Sequence, residues 1–236
     1  MMRMLKMELT VFGQYLRQLA LTMVIMAVCF TIGMGSAASL PGIIFMMAMF
    51  SFTTSASHYD EQNDWAAFRL TMPLSRRDVV LGRYLFVFLG SLACAALTAL
   101  GAFVFAGLAS VDMLPSGVAD VVRLDADAVR TGGFTLAVCG AMGMLTASAS
   151  MPVFFKFGQT KATQWLPFIM VLLGMAPFMV VGFMGEDTMA AAQQALSFVE
   201  TPEGLMLFAS GALIFGVACY VVSALVSLRV YKARDL

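Results

Sequence analysis

Charge is what this chain most lacks. Of 236 residues only 14 are Lys or Arg and 14 are Asp or Glu, so charged residues make up 12% and the formal net charge is zero. A soluble domain carries about 25%. No basic tract is present to neutralise phosphates, which excludes a nucleic-acid binder. A 61% hydrophobic composition likewise excludes a disordered chain. The mean hydropathy of +0.89 leaves one class, an integral membrane protein.

Catalytic and metal-binding sets are scarce as well. His58 is the single histidine, and it reads as an interfacial polar residue. Cys29, Cys94, Cys139 and Cys219 fall in four different apolar runs, where cysteine acts as a small hydrophobe. They imply neither a metal cluster nor a structural disulfide. The 21 methionines are many, yet unbranched Met fills irregular gaps and adapts to moving contacts. No Gly-x-x-x-x-Gly-Lys-Ser/Thr string exists, so the chain has no P-loop for ATP. The Gly158–Lys161 fragment does not supply one. No ionisable residue sits at the middle of an apolar run. This disfavours a proton relay and an intramembrane protease. No cofactor of its own, no metal and no enzymatic activity are expected.

What the chain does have is long charge-free runs. They cover residues 18–59, 84–111, 131–155, 162–185 and 204–228. One membrane helix needs about 20 apolar residues. The last four runs each fit one helix. The first fits two, divided by Gly33, Gly35, Ser36, Ser39, Pro41 and Gly42. The alternative for that run is one span and a re-entrant half-helix. The expectation is an all-α polytopic fold, one transmembrane domain over 1–236. Its six helices are placed near 15–35, 39–57, 80–109, 133–151, 165–184 and 205–228. The runs are continuous rather than alternating, which excludes a β-barrel.

Lys and Arg set the orientation. With six spans, twelve of the 14 basic residues lie on one side, Arg83 counted among the loop charges, and only Arg123 and Arg130 on the other. The basic side stays in the cytoplasm. Both termini are then cytoplasmic in a bacterial-type plasma membrane, and no cleaved signal peptide is expected. The start of the chain, with Arg3, Lys6, Thr10, Gln14 and Arg17 at spacings of three and four, reads as an interfacial amphipathic helix.

The loop over 58–79 is the most specific stretch. Tyr59–Leu70 is predicted as a short helix with Trp65 and Phe68 on one face. Asp60, Glu61 and Asp64 lie near its start, where the helix dipole favours carboxylates. Pro73 ends it. Ser75 is placed as the N-cap of the next helix, with Asp78 three residues on. That helix, from Arg76 to Ala109, is longer than the hydrocarbon is thick. Elsewhere Phe154, Phe155 and Phe157 are expected to anchor a loop over 152–161 at the interface. Residues 115–130 are expected to form a surface helix with Val118, Val121, Val122 and Leu124 toward lipid. Small residues at Ala95/Ala99 and Ala212/Gly216 offer close helix contacts.

The string of Asp60-Glu61, Trp65 and Met72-Pro73-Leu74-Ser75-Arg76-Arg77-Asp78-Val79-Val80-Leu81-Gly82-Arg83-Tyr84-Leu85 resembles the permease subunits of ABC-2 type transporters. The resemblance implies the ABC-2 type permease fold of six spans, an exporter, and a separate or fused ATP-binding subunit that carries ATP-Mg. It also implies pairing with a second permease copy or a sister permease. Carried over, Asp60, Glu61, Trp65 and Phe68 form the coupling helix that meets the ATPase. Pro73, Ser75, Arg76 and Arg77 form the elbow into span three. The segment 186–203 corresponds to an outer element near the exit. Without the resemblance, a non-transporting assembly or sensor protein and an ATP-independent carrier stand as rivals.

Overall fold

The small-residue break in the first long run is a real break. Ser36 to Ser39 form a bend and turn, with the Ser39 hydroxyl donating to the Ser36 carbonyl at 3.4 Å. The computed structural model describes residues 20–31, 36–62, 75–111, 121–158 and 201–232, with 13, 33, 115, 119, 165, 168, 169 and 172 besides. Among these, α1 covers Ala20–Thr31, α2 Leu40–Gln62, α3 Arg76–Ser110, α4 Ala126–Phe157 and α5 Pro202–Lys232. The fold is all-α. The last four helices are each long and apolar enough to cross a membrane. The N-terminal tract 1–12, most of the predicted span at 165–184 and the segment 186–200 lie outside the described residues.

Each boundary has a local cause. No Gly or Pro occurs between Gly42 and Pro73, so α2 runs on past the apolar stretch. It ends at Gln62, and Asp60 and Glu61 ride on its last turn. This corrects the expected start of a separate helix at Tyr59. α3 begins at its Ser75 cap and runs 35 residues, about 52 Å at 1.5 Å per residue. α4 does not stop at Pro152 but continues to Phe157. It ends at Gly158, whose φ of 69° is open to glycine and whose N–H donates to the Phe154 carbonyl at 2.9 Å. Thr201 starts α5, its hydroxyl accepting from the Gly204 N–H at 3.1 Å.

Register follows from which residues meet. Gly42 lies against Leu136, Phe45 beside Gly140, and Met46 against Gly143, so α2 and α4 run parallel. Phe134 meets Phe208, Ala141 meets Gly216, Ser148 meets Ser223 and Phe155 meets Tyr231, so α5 runs parallel to α4. Arg76 meets Tyr231 and Tyr84 meets Ser223, so α3 runs opposite to α5. The four helices close a ring, with α4 between α2 and α5 and α3 completing it against α2 and α5.

α2 and α4 are the inner pair. Their most apolar stretches are 61% and 50% buried, against 6% and 11% for α3 and α5. Leu97, Leu100, Phe103, Leu207 and Ile214 stand outward from α3 and α5, as lipid-facing side chains do. The core holds Phe45, Met49, Phe52, Val80, Tyr84, Val87, Met144, Met151, Phe155 and Tyr220. Two sequence expectations fail here. Phe154 and Phe155 are buried rather than interfacial, because α4 carries them inward. Val122 is also buried, because the Ala37 N–H donates to the Val121 carbonyl at 3.0 Å and draws the segment under the α1–α2 turn.

Glycine lets the inner helices approach. A Cβ at Gly42 would stand 2.6 Å from the Leu136 nitrogen, and one at Gly132 would collide with the Ala38 carbonyl oxygen. Gly216 rests on the Ala141 backbone, as the small-residue pairing at Ala212/Gly216 led us to expect. Gly133, one position on, has open space around it. Gly132→Ala is therefore expected to cost about 1–3 kcal/mol through overpacking. Gly133→Ala should be neutral or slightly stabilising, because alanine is the better helix former. Unfolding midpoints of the two detergent-solubilised variants compare them directly, and equal midpoints would contradict the close approach.

Candidate functional site

The end of the bundle where α3 begins is the end where α2, α4 and α5 finish. Three helix C-termini gather there, with exposed carbonyls and partial negative charge. Arg76, Arg77, Arg83, Lys156 and Arg229 lie at the same end. Asp125, Asp127 and Glu203 lie at the other, in the first turns of α4 and α5, with Arg123 and Arg130. For α4 and α5 charge and dipole agree, with Asp127 and Glu203 in their first turns and Lys156 and Arg229 in their last.

The start of α3 is capped as its residue types suggest. Ser75 is extended, at φ −74° and ψ 149°, and its Oγ accepts from the Asp78 N–H at 3.1 Å. The same hydroxyl donates to Asp78 Oδ2 at 2.7 Å. Cap and carboxylate thus hold each other at the first turn of α3. Arg77 is exposed. Arg76 turns the other way and donates to the Tyr231 carbonyl at 3.3 Å, one of the last carbonyls of α5. Of the other residues singled out for coupling, Asp60 and Glu61 end α2, while Trp65, Phe68 and Pro73 lie outside the described residues.

Two turns into α3 lies a cluster of buried hydroxyls and rings. Tyr84 OH is 2.7 Å from Ser223 Oγ and 2.8 Å from Ser227 Oγ. Ser223 Oγ donates to the Ser148 carbonyl of α4 at 2.6 Å, and Tyr220 OH donates to the Tyr84 carbonyl at 2.9 Å. A hydroxyl has one proton to give. Ser223 gives its proton to Ser148, so Tyr84 donates to Ser223 and Ser227 donates to Tyr84. The result is one directed chain from α5 through α3 and back through α5 to α4. Such chains polarise each member in turn. Rings enclose it: Tyr84 stacks on Phe155 at 6.5 Å and meets Tyr220 edge-on at 5.0 Å. Phe155 meets Tyr231 at 5.4 Å.

Arg83 belongs to this cluster and not to the loop charges. It is only 3% exposed, with its guanidinium carbon 6.0 Å from the Phe155 ring centre. A cation this close to a π face gains some attraction when desolvated. The start of α3 is therefore held beyond Arg77 as well. It is fastened inward through Arg76, Arg83 and Tyr84 to the ends of α4 and α5.

This cluster was missed in the sequence. The signal was present in the spacing. Tyr220, Ser223, Ser227 and Tyr231 fall three and four apart on α5 and share one face. Arg76, Arg83 and Tyr84 face them from α3. The arrangement holds positions rather than exposing a reactive group, since the hydroxyls are occupied by one another and by carbonyls. Tyr84→Phe keeps the ring contacts and removes the bridging hydroxyl. It is expected to lower stability by about 1–3 kcal/mol, the cost of leaving buried partners unmatched. Thermal unfolding in detergent measures the loss, and an unchanged midpoint would contradict the directed chain.

Residues 4–232 match the family described as ABC-2 family transporter protein. No curated protein and no solved structure matches the chain significantly. The match runs through α1 to α5 and takes in both the elbow and the hydroxyl cluster. This multi-helix membrane protein belongs to the ABC-2 transporter family.

Proposed function

We propose that the chain is the transmembrane permease subunit of an ATP-driven ABC-2 exporter. Its motor is a separate cytoplasmic ATP-binding subunit that carries ATP-Mg. A second permease copy or a sister permease completes the path. The chain has no P-loop, so the energy must arrive from outside the membrane. The basic end carrying Arg76, Arg77, Lys156 and Arg229 faces the cytoplasm. Both termini lie on that side.

Six spans follow on this reading. α4 and α5 run parallel and start at the same end. The chain between Gly158 and Thr201 must return over the full height of the bundle. The charge-free run 162–185 is long enough to cross on the way. Phe168, within it, meets Phe50 of α2 at 5.1 Å.

One observation carries the mechanism. The segment 63–74 joins an unbroken α2 to a capped α3, and the start of α3 is bonded to α5. A force applied to that segment has no slack at its α3 end. On ATP binding, the motor subunits close and push against Asp60, Glu61, Trp65 and Phe68. Pro73 and the Ser75 cap make the corner rigid. α3 then moves as a rod, carrying the ends of α5 and α4 through Arg76 and Tyr84. Cargo leaves toward the acidic opposite face without chemical change.

The test is purification of the tagged chain from its own cells in mild detergent, with co-purifying proteins identified and ATP hydrolysis assayed. A stoichiometric ATPase is expected. Glu61→Ala and Trp65→Ala should reduce its association several-fold while the chain remains folded and inserted. Pro73→Ala should leave association intact and lower transport. A preparation free of ATPase, under conditions that preserve known complexes, would refute the motor-driven reading.

A further inference from the structure

Pro152 lies inside α4, four residues after Ser148. A proline has no N–H, so it cannot give the Ser148 carbonyl its helical bond, and its ring crowds that carbonyl. The donor found there comes from another helix: Ser223 Oγ of α5, at 2.6 Å. The turns before the proline are loosened too. Thr146, Ser148 and Ser150 each donate a side-chain hydrogen bond to the carbonyl four residues back, at 2.8, 2.6 and 2.7 Å. Such bonds weaken and bend a helix. Beyond the proline only a short end remains, closed by Gly158. That end carries Phe154 and Phe155 into the core, against Tyr84 and Tyr231.

From these contacts we propose that residues 153–157 form a hinged end of α4, held shut by a hydroxyl latch in which Ser223 grips the Ser148 carbonyl and Tyr84 orients Ser223. The latch substitutes for the ladder bond that Pro152 deletes. Its proton order, Ser227 to Tyr84 to Ser223 to Ser148, makes α3 part of the grip. Withdrawing Tyr84 releases Ser223 from its orienting donor and removes the ring on which Phe155 stacks. Tyr84 lies about two and a half turns beyond Ser75 on the same helix. In this respect alone the inference rests on the transport reading: a push at the elbow would reach the hinge through Tyr84. The latch itself needs no motor.

Amide hydrogen exchange of the full-length chain, purified without partners into lipid nanodiscs, tests the latch apart from the transport reading. In Ser223→Ala the amides of residues 153–157 should exchange about five- to tenfold faster, the effect of losing one buried hydrogen bond. Pro152→Ala restores an N–H for the Ser148 carbonyl. In that background Ser223→Ala should leave exchange unchanged. A packing defect at Ser223 would speed exchange equally in both backgrounds, and that outcome would overturn the proposal. So would unchanged exchange in Ser223→Ala alone. If Ser223→Ala fails to fold, recovery of the folded chain in Pro152→Ala/Ser223→Ala supports the latch, and failure to recover it refutes it.

Discussion

The close approach of α2 and α4 is the constraint on which the rest of the bundle depends. In hydrocarbon, apolar side chains gain little by leaving lipid for protein, so helices associate through tight packing and hydrogen bonds. Gly42 and Gly132 bring the two backbones together at one end, and Gly143 continues the contact against Met46. Gly216 extends the same arrangement to α5. With α2, α4 and α5 set in parallel by these contacts, α3 is the antiparallel helix that closes the ring. Its outer face, with Leu97, Leu100 and Phe103, is left exposed.

A second constraint governs the basic end. No water in the bilayer core replaces a lost backbone bond, so each carbonyl released from a helix needs a donor from elsewhere in the protein. Arg76 supplies one at the end of α5, and Ser223 supplies one beside the proline of α4. Both donors join helices that are distant in the chain. The same bonds that satisfy the backbone thus mechanically link the start of α3 to the two helices behind it.

Much of the architecture was legible in the residues. Charge-free runs located the long apolar helices, since a charge is costly in hydrocarbon whatever the tertiary contacts. The break near Ser36–Ser39 and the Ser75/Asp78 cap were also legible, because turns and caps depend on a few neighbouring residues. Errors arose where distant partners decide. A proline normally ends a helix, so α4 was expected to stop near 152. The Ser223 hydroxyl tolerates the break, and Phe154 and Phe155 follow the helix into the core. Arg83 counted as a loop charge because its sequence neighbours suggest the membrane boundary. The fold instead packs it beside Phe155.

By itself, then, the sequence determined that this is a helical membrane protein, where its long apolar helices fall, and which end is basic. Hydropathy, net charge and capping act over one or two turns and need no partner. Only the tertiary structure decided that α2, α4 and α5 run parallel, that Val122 and Phe155 are interior, and that Tyr84 joins α3 to α5 and, through Ser223, to α4. Those facts depend on which glycines meet which backbones and on which hydroxyl reaches which carbonyl. Such pairings join residues scores of positions apart, and local pattern has no means of specifying them.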